Sequence, residues 1–257
     1  MKAAPGPGAG RRLSDEFGLQ QNRGFTLIRA VIFDVDGTLV DSNDLHVEAW
    51  REAFRRYGKE LAFDEVHGQM GKGGDQLMPV FCSKEELDEF GDELERHRVE
   101  LFADHYLTRV RPFPRVRELF ERLKADGLQI ALASSAKEGE LEQHKKTMRV
   151  GDLLEAATSA DDAERSKPHP DIFQAALAGL DGVRPEEAVV VGDTPYDVEA
   201  AAKAGVRTIG LLSGGFPEGE LRRAGAVAVY RDVSDLLEHY EESPLAAGRA
   251  DAAKGRG

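Results

Sequence analysis

Two aspartates one residue apart, Asp34 and Asp36, follow the apolar run 31–33 and precede a glycine. The apolar run predicts a buried strand, and because side chains alternate along a strand, both carboxylates are expected to leave its end on the same side. Neighbouring anions repel each other unless a cation lies between them. The pair therefore predicts a site for a hard divalent cation such as Mg²⁺, although a plain Asp-Gly turn after a strand would have the same sequence.

Three later segments carry side chains that complement this pair. Alone, each has an ordinary structural explanation, because hydroxyls and acids cap helices and most lysines lie in solvent. In an open parallel sheet, however, ligands bind outside the carboxyl ends of the strands, so all the segments are expected to converge on one site. The residues concerned are Ser134 and Ser135 after the apolar run 130–133, Lys167 before a proline, and Asp193 and Asp197 after the apolar run 188–191.

Taken in order, these segments resemble the four motifs of the haloacid dehalogenase superfamily, over residues 30 to 237. The resemblance implies an α/β fold in which a Rossmann-like parallel sheet forms a three-layer sandwich and an α-helical cap domain is inserted. It also implies a Mg²⁺-dependent phosphatase that hydrolyses a small phosphomonoester through an aspartyl-phosphate intermediate. Relatives that cleave carbon–halogen bonds or phosphonoacetaldehyde lack an aspartate two residues after the nucleophile, so Asp36 favours phosphoryl transfer.

The resemblance assigns catalytic roles to these positions. Asp34 would be the nucleophile that attacks phosphorus. Asp36 would protonate the leaving oxygen and then take a proton from the water that hydrolyses the intermediate. Lys167 and Ser134 would bind the phosphoryl oxygens, and the backbone N–H near Ser135 would complete the cradle.

The resemblance also implies metal ligands. The side chains of Asp34 and Asp193 and the backbone carbonyl of Asp36 would hold Mg²⁺. Asp197 would support the metal shell or orient Lys167. Alternatively, Asp197 is only an acid in the first turn of a helix, where the helix dipole favours it.

Strand-like and helix-like segments alternate along most of the chain, which predicts a parallel sheet with helices on both faces. We expect strands near residues 30–34, 128–134, 154–158, 188–192, 207–211 and 226–230. Helix-like periodicity without a strand fills residues 43–108. The predicted division is a flexible extension 1–29, a core domain 30–42 and 110–240, a cap domain 43–109 and a flexible tail 243–257.

A sugar-phosphate mutase of the β-phosphoglucomutase type is the alternative function. His46 and Trp50, one helical turn apart in the first cap helix, resemble the cap of that enzyme. Thr38 and Gly192 favour the phosphatase, since β-phosphoglucomutases carry glutamate at the latter position. A non-catalytic phosphate sensor is a third hypothesis, disfavoured because every catalytic acid is present. His46 and Lys72, the latter in a glycine-rich turn, are expected to contact the substrate.

Composition limits the partners. The 257 residues carry a net charge of −13, which argues against nucleic acid or an anionic membrane as a partner, and no segment has the length of a transmembrane helix. Cys82 is the only cysteine, which excludes an intrachain disulfide and is consistent with the cytoplasm. We expect a small phosphorylated metabolite as partner and a monomer or homodimer. Five histidines lack metal-ligand spacing and are expected on surfaces: His67, His97, His105, His144 and His239.

Overall fold

A parallel β-sheet of six strands forms the centre of the computed structural model, which describes residues 27–246. Two further strands, β2 and β3, form a separate antiparallel ribbon. The predicted α/β fold with a parallel sheet is confirmed, and each predicted strand agrees with an observed one to within two residues. The strands are β1 (Ala30–Phe33), β2 (Val40–Asp41), β3 (Arg111–Pro112), β4 (Gln129–Ala133), β5 (Ala156–Thr158), β6 (Ala188–Gly192), β7 (Arg207–Leu211) and β8 (Ala228–Tyr230), with the large sheet in the order β5–β4–β1–β6–β7–β8.

Helices connect the strands and cover the sheet. None of the helices in the described part of the chain is long and apolar enough to cross a lipid bilayer. The α-helices are α1 (Asn43–Arg56), α2 (Phe63–His67), α3 (Gly74–Phe81), α4 (Lys84–Leu101), α5 (Val116–Ala125), α6 (Glu138–Met148), α7 (Asp171–Ala178), α8 (Pro195–Lys203), α9 (Glu218–Ala224) and α10 (Val233–Glu238). A π-helical turn (Phe102–Tyr106) extends α4, and 3-10 turns lie at Leu107–Arg109, Gly151–Leu153, Ala160–Asp162, Pro185–Glu187, Leu212–Gly214 and Tyr240–Glu242.

The sheet buries both of its faces, as the alternation along β1 shows. Val31 and Phe33 pack in a layer with α5, α6 and α10, whereas Ala30 and Ile32 pack in another layer with α7 and α8. Because helices cover both faces, the strands are continuous apolar runs instead of alternating ones. The three-layer arrangement places the carboxyl end of each strand at one edge of the sheet.

The residues between β2 and β3, here called the helical insert (43–109), have a hydrophobic core of their own. Buried side chains of α1, α3 and α4 meet there, among them Trp50, Phe54, Leu77 and Leu94. Val40 pairs with Pro112 and Asp41 with Arg111 in the β2–β3 ribbon. The two crossings between the insert and the sheet therefore lie side by side.

Burial extends beyond the predicted ends of the core domain. Ile28, Ser243 and Leu245 are buried, and the two apolar residues belong to the cluster on the α5 side of the sheet. The predicted core boundary at residue 30 is therefore too late and the tail boundary at 243 too early, because apolar side chains beyond each boundary complete the core. The rest of the predicted extension and tail, 1–26 and 247–257, lies outside the described residues.

Candidate active site

Lys167 is fully buried beyond the carboxyl ends of the strands, between two carboxylates. Its ammonium makes a close ion pair with Asp34, which follows β1, and lies 2.7 Å from Asp197 Oδ1 in the first turn of α8. A buried lysine without a partner would be very unfavourable, so the two anions explain how the fold tolerates this charge. Together with Asp193, these residues are called the lysine cluster below.

Asp193 directly follows β6 and is fully buried. The Thr38 hydroxyl lies 2.7 Å from Asp193 Oδ1 and 3.1 Å from Asp34 Oδ2. The Asn43 amide donates to Asp193 Oδ2 at 3.0 Å. Gly37 has a left-handed backbone (φ +74°), and a Cβ at this position would lie 2.8 Å from Asn43 Cγ. The turn therefore needs glycine if Asn43 is to reach Asp193.

The lysine cluster is short of positive charge. Burial raises the pKa of Asp34 to about 7, against the opposing effect of Lys167. Burial and the charges of Asp34 and Asp197 raise the pKa of Asp193 well above 3.8. Burial lowers the pKa of Lys167, but Asp197 and Asp34 outweigh it and raise that pKa above 10.5. One cation thus does not neutralise three buried carboxylates, and a second cation would stabilise their ionised forms.

The donor set fits a hard divalent cation. Carboxylate oxygens of Asp34, Asp193 and Asp197 lie within 4.8 Å of one another, and all three residues are buried. Clustered carboxylate oxygens are the ligands that Mg²⁺ prefers in proteins. The acid expected only to support the site, Asp197, lies among the candidate ligands, while its Oδ2 also accepts a hydrogen bond from Thr194 Oγ1 at 2.7 Å.

Asp36 lies in a second group, called the histidine cluster, with His46, Glu140 and His144. His46 Nε2 lies 3.1 Å from Asp36 Oδ1 and 3.3 Å from Glu140 Oε1. Because β1 ends at Phe33, strand alternation does not reach Asp36. The prediction that both carboxylates lie beside one cation is wrong for the side chain of Asp36, which lies beside His46 instead. That the backbone carbonyl of Asp36 binds the metal stays a prediction.

The histidine cluster has the opposite electrostatic character. Burial works against ionisation of Asp36, but the imidazoles of His46 and His144 outweigh it and hold its pKa well below 3.8. Burial lowers the pKa of His144, but Asp36 and Glu140 outweigh it and raise that pKa to about 10. The two imidazoles therefore favour the ionised form of Asp36, in contrast to the lysine cluster.

The prediction that His144 lies on the surface is wrong, because only 1% of this residue is exposed. His144 lies on α6 with Leu141 and Met148, which are buried on the same side of the helix. The spacing of these three residues is i, i+3 and i+7, the spacing of one helical face. That periodicity was a usable signal in the sequence, since a histidine between two core positions of an amphipathic helix faces inward.

A cavity of about 50 Å³ lies between the helical insert and the sheet edge. Its walls combine Asp34 and Asp36 with side chains of the insert and of the loop after β4. The lining residues include Asp34, Asp36, Asn43, His46, Trp50, Met70, Gly71, Lys72, Arg98, Ser135, Ala136 and Glu140. Pockets that bind small-molecule ligands usually have about 300–1,000 Å³, so this cavity is small for a whole metabolite.

Arg98 was missed by the sequence prediction. It is only 8% exposed, its guanidinium lies 5.0 Å from the centre of the Trp50 ring, and its Nε has no hydrogen-bond partner. Arg98 shares a buried face of α4 with Leu94 and Leu101, at i−4 and i+3. The same helical periodicity that placed those leucines in the core could have placed Arg98 beside them.

The glycine-rich turn of the helical insert docks directly on the sheet edge. Ser135 Oγ donates to the Gly71 carbonyl at 3.4 Å, and Tyr196 Oη donates to the Gly68 carbonyl at 2.7 Å. A Cβ on Gly71, whose φ is +92°, would lie 2.7 Å from Thr194 Oγ1. Glycine therefore permits the close approach that closes the cavity.

Other predicted site residues lie around this cavity. Ser134 is fully buried, with its hydroxyl 3.5 Å from Asp36 Oδ2 and accepting from the Ala136 N–H at 3.0 Å. Lys72 lines the cavity, donates to Gln69 Oε1 at 2.6 Å and lies 4.5 Å from the centre of the Tyr196 ring. The structure thus places the proposed site residues at one edge of the sheet, with Ser134, Ser135 and Lys72 outside the two clusters.

Comparison with known proteins agrees with this geometry. The family model for haloacid dehalogenase-like hydrolases matches residues 31–211 of the chain. The chain belongs to this family. The predicted family and its hydrolase character are therefore confirmed.

Two relatives and one solved structure illustrate the similarity. The chain is 30% identical to a phosphorylated carbohydrates phosphatase of Thermotoga maritima, with 79% of this chain and 94% of that protein covered. It is 32% identical to protein SUPPRESSOR OF QUENCHING 1 of Arabidopsis thaliana, covering 81% of this chain but 20% of that protein. A hydrolase structure from Pseudomonas syringae superposes with a TM-score of 0.77 at 32% identity, covering 83% of this chain and 98% of that one.

The mutase alternative is not favoured. Two relatives that are each covered to 94% of their length carry the names phosphorylated carbohydrates phosphatase and putative pyrophosphatase. In the structure, a Cβ on Gly192 would lie 2.7 Å from Asp197 Cβ and Cγ. The glutamate expected in a β-phosphoglucomutase at position 192 would therefore displace Asp197 from the lysine cluster.

Proposed function

We propose that the protein is a Mg²⁺-dependent phosphatase that hydrolyses a small phosphomonoester through an aspartyl-phosphate on Asp34. The observation that carries the proposal is the convergence of Asp34, Lys167 and Asp193, from three distant segments, on one buried site. A phosphate monoester hydrolyses extremely slowly without a catalyst, so fixed charges and positioning must supply much of the rate.

In the first step, Asp34 attacks phosphorus and the bond from phosphorus to the leaving oxygen breaks. Asp36 gives that oxygen a proton, so the alcohol leaves neutral. In the second step, water attacks the aspartyl-phosphate, Asp36 takes its proton, and Asp34 is regenerated as inorganic phosphate leaves. Ionised Asp36, next to the imidazoles of His46 and His144, suits the second step, whereas for the first step Asp36 must take up a proton before it can give one to the leaving oxygen.

The lysine cluster would provide the electrostatic part of catalysis. Asp34, Asp193 and the backbone carbonyl of Asp36 would hold Mg²⁺, which would reduce the repulsion between the nucleophile and the phosphoryl oxygens. Lys167 would hold a phosphoryl oxygen next to Asp34, and Asp197 would keep the ammonium in place. Ser134 and the backbone N–H of Ser135 would bind the remaining oxygens.

The helical insert would act as a cap that selects the substrate. The cavity is too small for a whole metabolite, so we infer that the insert opens to admit one and that its residues then contact the leaving group. Arg98 and Lys72 would bind polar or anionic groups there, while Trp50 and Met70 would supply apolar contact. The phosphorylated carbohydrates phosphatase among the relatives supports a phosphorylated metabolite as substrate.

We also propose that the enzyme acts in the cytoplasm and does not bind nucleic acid or membranes. A net charge of −13 makes nucleic acid and anionic membranes unfavourable partners. The single cysteine, Cys82, is buried and unpaired, which is compatible with a cytoplasmic location. We propose a monomer or homodimer.

Measurement of phosphate release from a panel of phosphomonoesters tests the proposal. The purified protein should release inorganic phosphate from at least one member with Mg²⁺, should lose that activity in excess EDTA, and should regain it when Mg²⁺ is restored. Full turnover after metal removal would contradict the metal assignment. Absence of turnover on sugar phosphates, phosphoglycolate and nucleoside monophosphates would contradict the substrate class.

A further inference from the structure

The histidine cluster has the composition of a transition-metal site. It combines two imidazole nitrogens with two carboxylate oxygens, supplied by the turn after β1 (Asp36), by α1 of the helical insert (His46) and by α6 (Glu140, His144). Imidazole and carboxylate are the ligands of many four-coordinate Zn²⁺ sites. The lysine cluster, by contrast, offers oxygen ligands only, which suit hard cations.

The distances between the nitrogen and oxygen atoms are close to those between the ligands of a metal ion. Ligands about 2.0–2.2 Å from Zn²⁺ in a tetrahedron lie about 3.3–3.6 Å from one another. His46 Nε2 lies 3.1 Å from Asp36 Oδ1 and 3.3 Å from Glu140 Oε1. His144 Nε2 lies 3.5 Å from Asp36 Oδ1 and 3.6 Å from Glu140 Oε1. These four nitrogen–oxygen distances are therefore close to those between ligands of one ion, and ligand atoms of Asp36, Glu140 and His144 all lie within 4.8 Å of one another.

Hydrogen bonding alone does not account for this arrangement. His46 Nε2 and Asp36 Oδ1 form a hydrogen bond at 3.1 Å, whereas His144 Nε2 and Glu140 Oε1 lie at ion-pair distances from their neighbours but make no hydrogen bond. His144 is 99% buried, and only 9% of the Glu140 side chain is exposed. Polar atoms shielded to this degree are normally hydrogen-bonded, and each such atom without a partner needs an explanation.

The surroundings support the cluster as a ligand set. The Ser42 hydroxyl donates to Asp36 Oδ1 at 2.6 Å, and the His46 ring stacks on Phe102 with centroids 3.8 Å apart. Such contacts fix the orientation of ligands around a metal. Asp36, His46 and Glu140 also line the cavity, which gives an ion a route of entry.

We propose that Asp36, His46, Glu140 and His144 bind a transition-metal ion of the Zn²⁺ class at a site separate from the Mg²⁺ site. Two carboxylates and two neutral imidazoles around a divalent ion give a site without net charge. Because the ligands come from both the helical insert and α6, the bound ion holds the insert closed and occupies the carboxylate of Asp36. Bound Zn²⁺ therefore inhibits turnover; this consequence rests on the proposed function, whereas binding of the ion does not.

Cobalt substitution tests the binding. The purified full-length protein is titrated with Co²⁺ in a large excess of Mg²⁺, which keeps the oxygen site filled. We expect one equivalent of Co²⁺ to give the intense visible absorption of four-coordinate cobalt, and Zn²⁺ to remove it. Only the weak absorption of six-coordinate cobalt in the wild-type protein would overturn the proposal, whatever the variants show.

Variants locate the ion. Glu140→Gln and His144→Asn should each weaken Zn²⁺ binding at least about tenfold, measured by competition with a chromophoric chelator. Glu142→Gln, on the same helix and paired with Lys145 at the surface, should bind as the wild type does. Circular dichroism identifies a variant that has not folded. If one of the two ligand variants is unfolded, the Zn²⁺ affinity of the other one tests the site. Unchanged affinity in a folded ligand variant would overturn the proposal.

Inhibition is measured separately from binding. Micromolar Zn²⁺ should inhibit phosphate release in saturating Mg²⁺, and added Mg²⁺ should not relieve the inhibition. Relief by Mg²⁺ would place the ion in the lysine cluster and overturn the separate site. If the protein showed no phosphatase activity at all, the proposed function would fail, while the cobalt spectrum would still decide the metal site.

Discussion

In the lysine cluster three buried carboxylates share one cation, whereas in the histidine cluster two carboxylates face two imidazoles. The consequence is visible in two aspartates separated by one residue. The pKa of Asp34 is raised to about 7, mainly by burial, and the pKa of Asp36 is held well below 3.8 because the imidazoles outweigh burial. The local partners, and not the position at the strand end, determine the charge of each acid.

The two clusters also differ in how they are attached to the fold. Asp34, Lys167 and Asp193 all belong to the segments that surround the parallel sheet, and the helical insert adds the Asn43 amide, which donates to Asp193. The histidine cluster includes His46 from α1, so its geometry requires the insert to be closed on the sheet. The lysine cluster thus provides charges held by the sheet, whereas the histidine cluster is complete only when the insert is closed.

The proposed function requires Asp34 as the nucleophile. Asp34→Asn should reduce phosphate release more than about a hundredfold, because an amide is a poor nucleophile and the covalent step is lost. The exposed Asp44 gives a matched control, and Asp44→Asn should retain activity. Steady-state kinetics with circular dichroism measures both; activity of Asp34→Asn above a hundredth of the wild type would remove Asp34 as nucleophile.

Removal of the only cation in the lysine cluster should be costly for folding. Lys167→Met should lower the free energy of unfolding by about 3–5 kcal/mol in EDTA, since it leaves buried carboxylates without a partner. Mg²⁺ should restore more stability to this variant than to the wild type. Lys145→Met removes a lysine paired at the surface with Glu142 and should cost less than about 1 kcal/mol.

Urea denaturation with and without Mg²⁺ separates these cases. Equal losses in the two lysine variants would show that the buried ion pairs do not hold the lysine cluster together. Equal Mg²⁺ effects on the wild type and Lys167→Met would argue against a cation beside Asp34 and Asp193.

Arg98 tests the contribution of the insert to substrate selection. Arg98→Met should raise KM about tenfold for phosphomonoesters whose leaving group is anionic, because a hydrogen bond to a charged group contributes about 1.5–3 kcal/mol. Substrates with neutral leaving groups should be affected less. Arg96→Met, an exposed neighbour, is the control. A similar rise in KM for neutral and anionic leaving groups would show that Arg98 only packs on Trp50.

The smallest expected effect is a pH dependence from the histidine cluster. The pKa of His144 is raised to about 10 in the folded protein, from 6.5. Its contribution to stability is therefore complete below pH 6.5 and is lost as the pH rises through 10. In EDTA, the free energy of unfolding of the wild type should fall between pH 7 and 10 by at least about 1 kcal/mol more than that of His144→Gln.

The exposed His239 provides the control for that measurement. His239→Gln should keep the slope of the wild type between pH 7 and 10. Parallel stability curves for the wild type and His144→Gln would show that His144 gains no proton-linked stabilisation from Asp36 and Glu140.

Much of the fold could be predicted because its signals are local. The runs that became β1, β4 and β6 are apolar because helices cover both faces of the sheet, and Gly127 and Gly205 end helices α5 and α8 near the expected positions. Polar residues at the ends of these strands indicated Asp34, Ser134 and Asp193. The two-residue strands β2 and β3 were not predicted, because segments this short leave no periodicity to detect.

Buried polar residues on helices were the main failure. His144 and Arg98 each lie at a core position of an amphipathic helix. A prediction from residue type alone places both side chains in solvent, because histidine and arginine are polar. Periodicity would have placed both inside. Which acid would meet His144 could not be read from α6 alone, because Asp36 is more than a hundred residues away in sequence.

The sequence by itself determined the order of the strands along the chain, the acids at their ends, the helical character of residues 43–109 and the family to which these features belong. These properties depend on local patterns and on the rule that parallel strands end at one edge of a sheet. Only the tertiary structure decided that Asp34 joins Lys167 while Asp36 joins two histidines, and how tightly the insert closes the cavity. The physical reason is that burial and pKa depend on which distant side chains meet, and that is fixed only when the helical insert packs against the sheet.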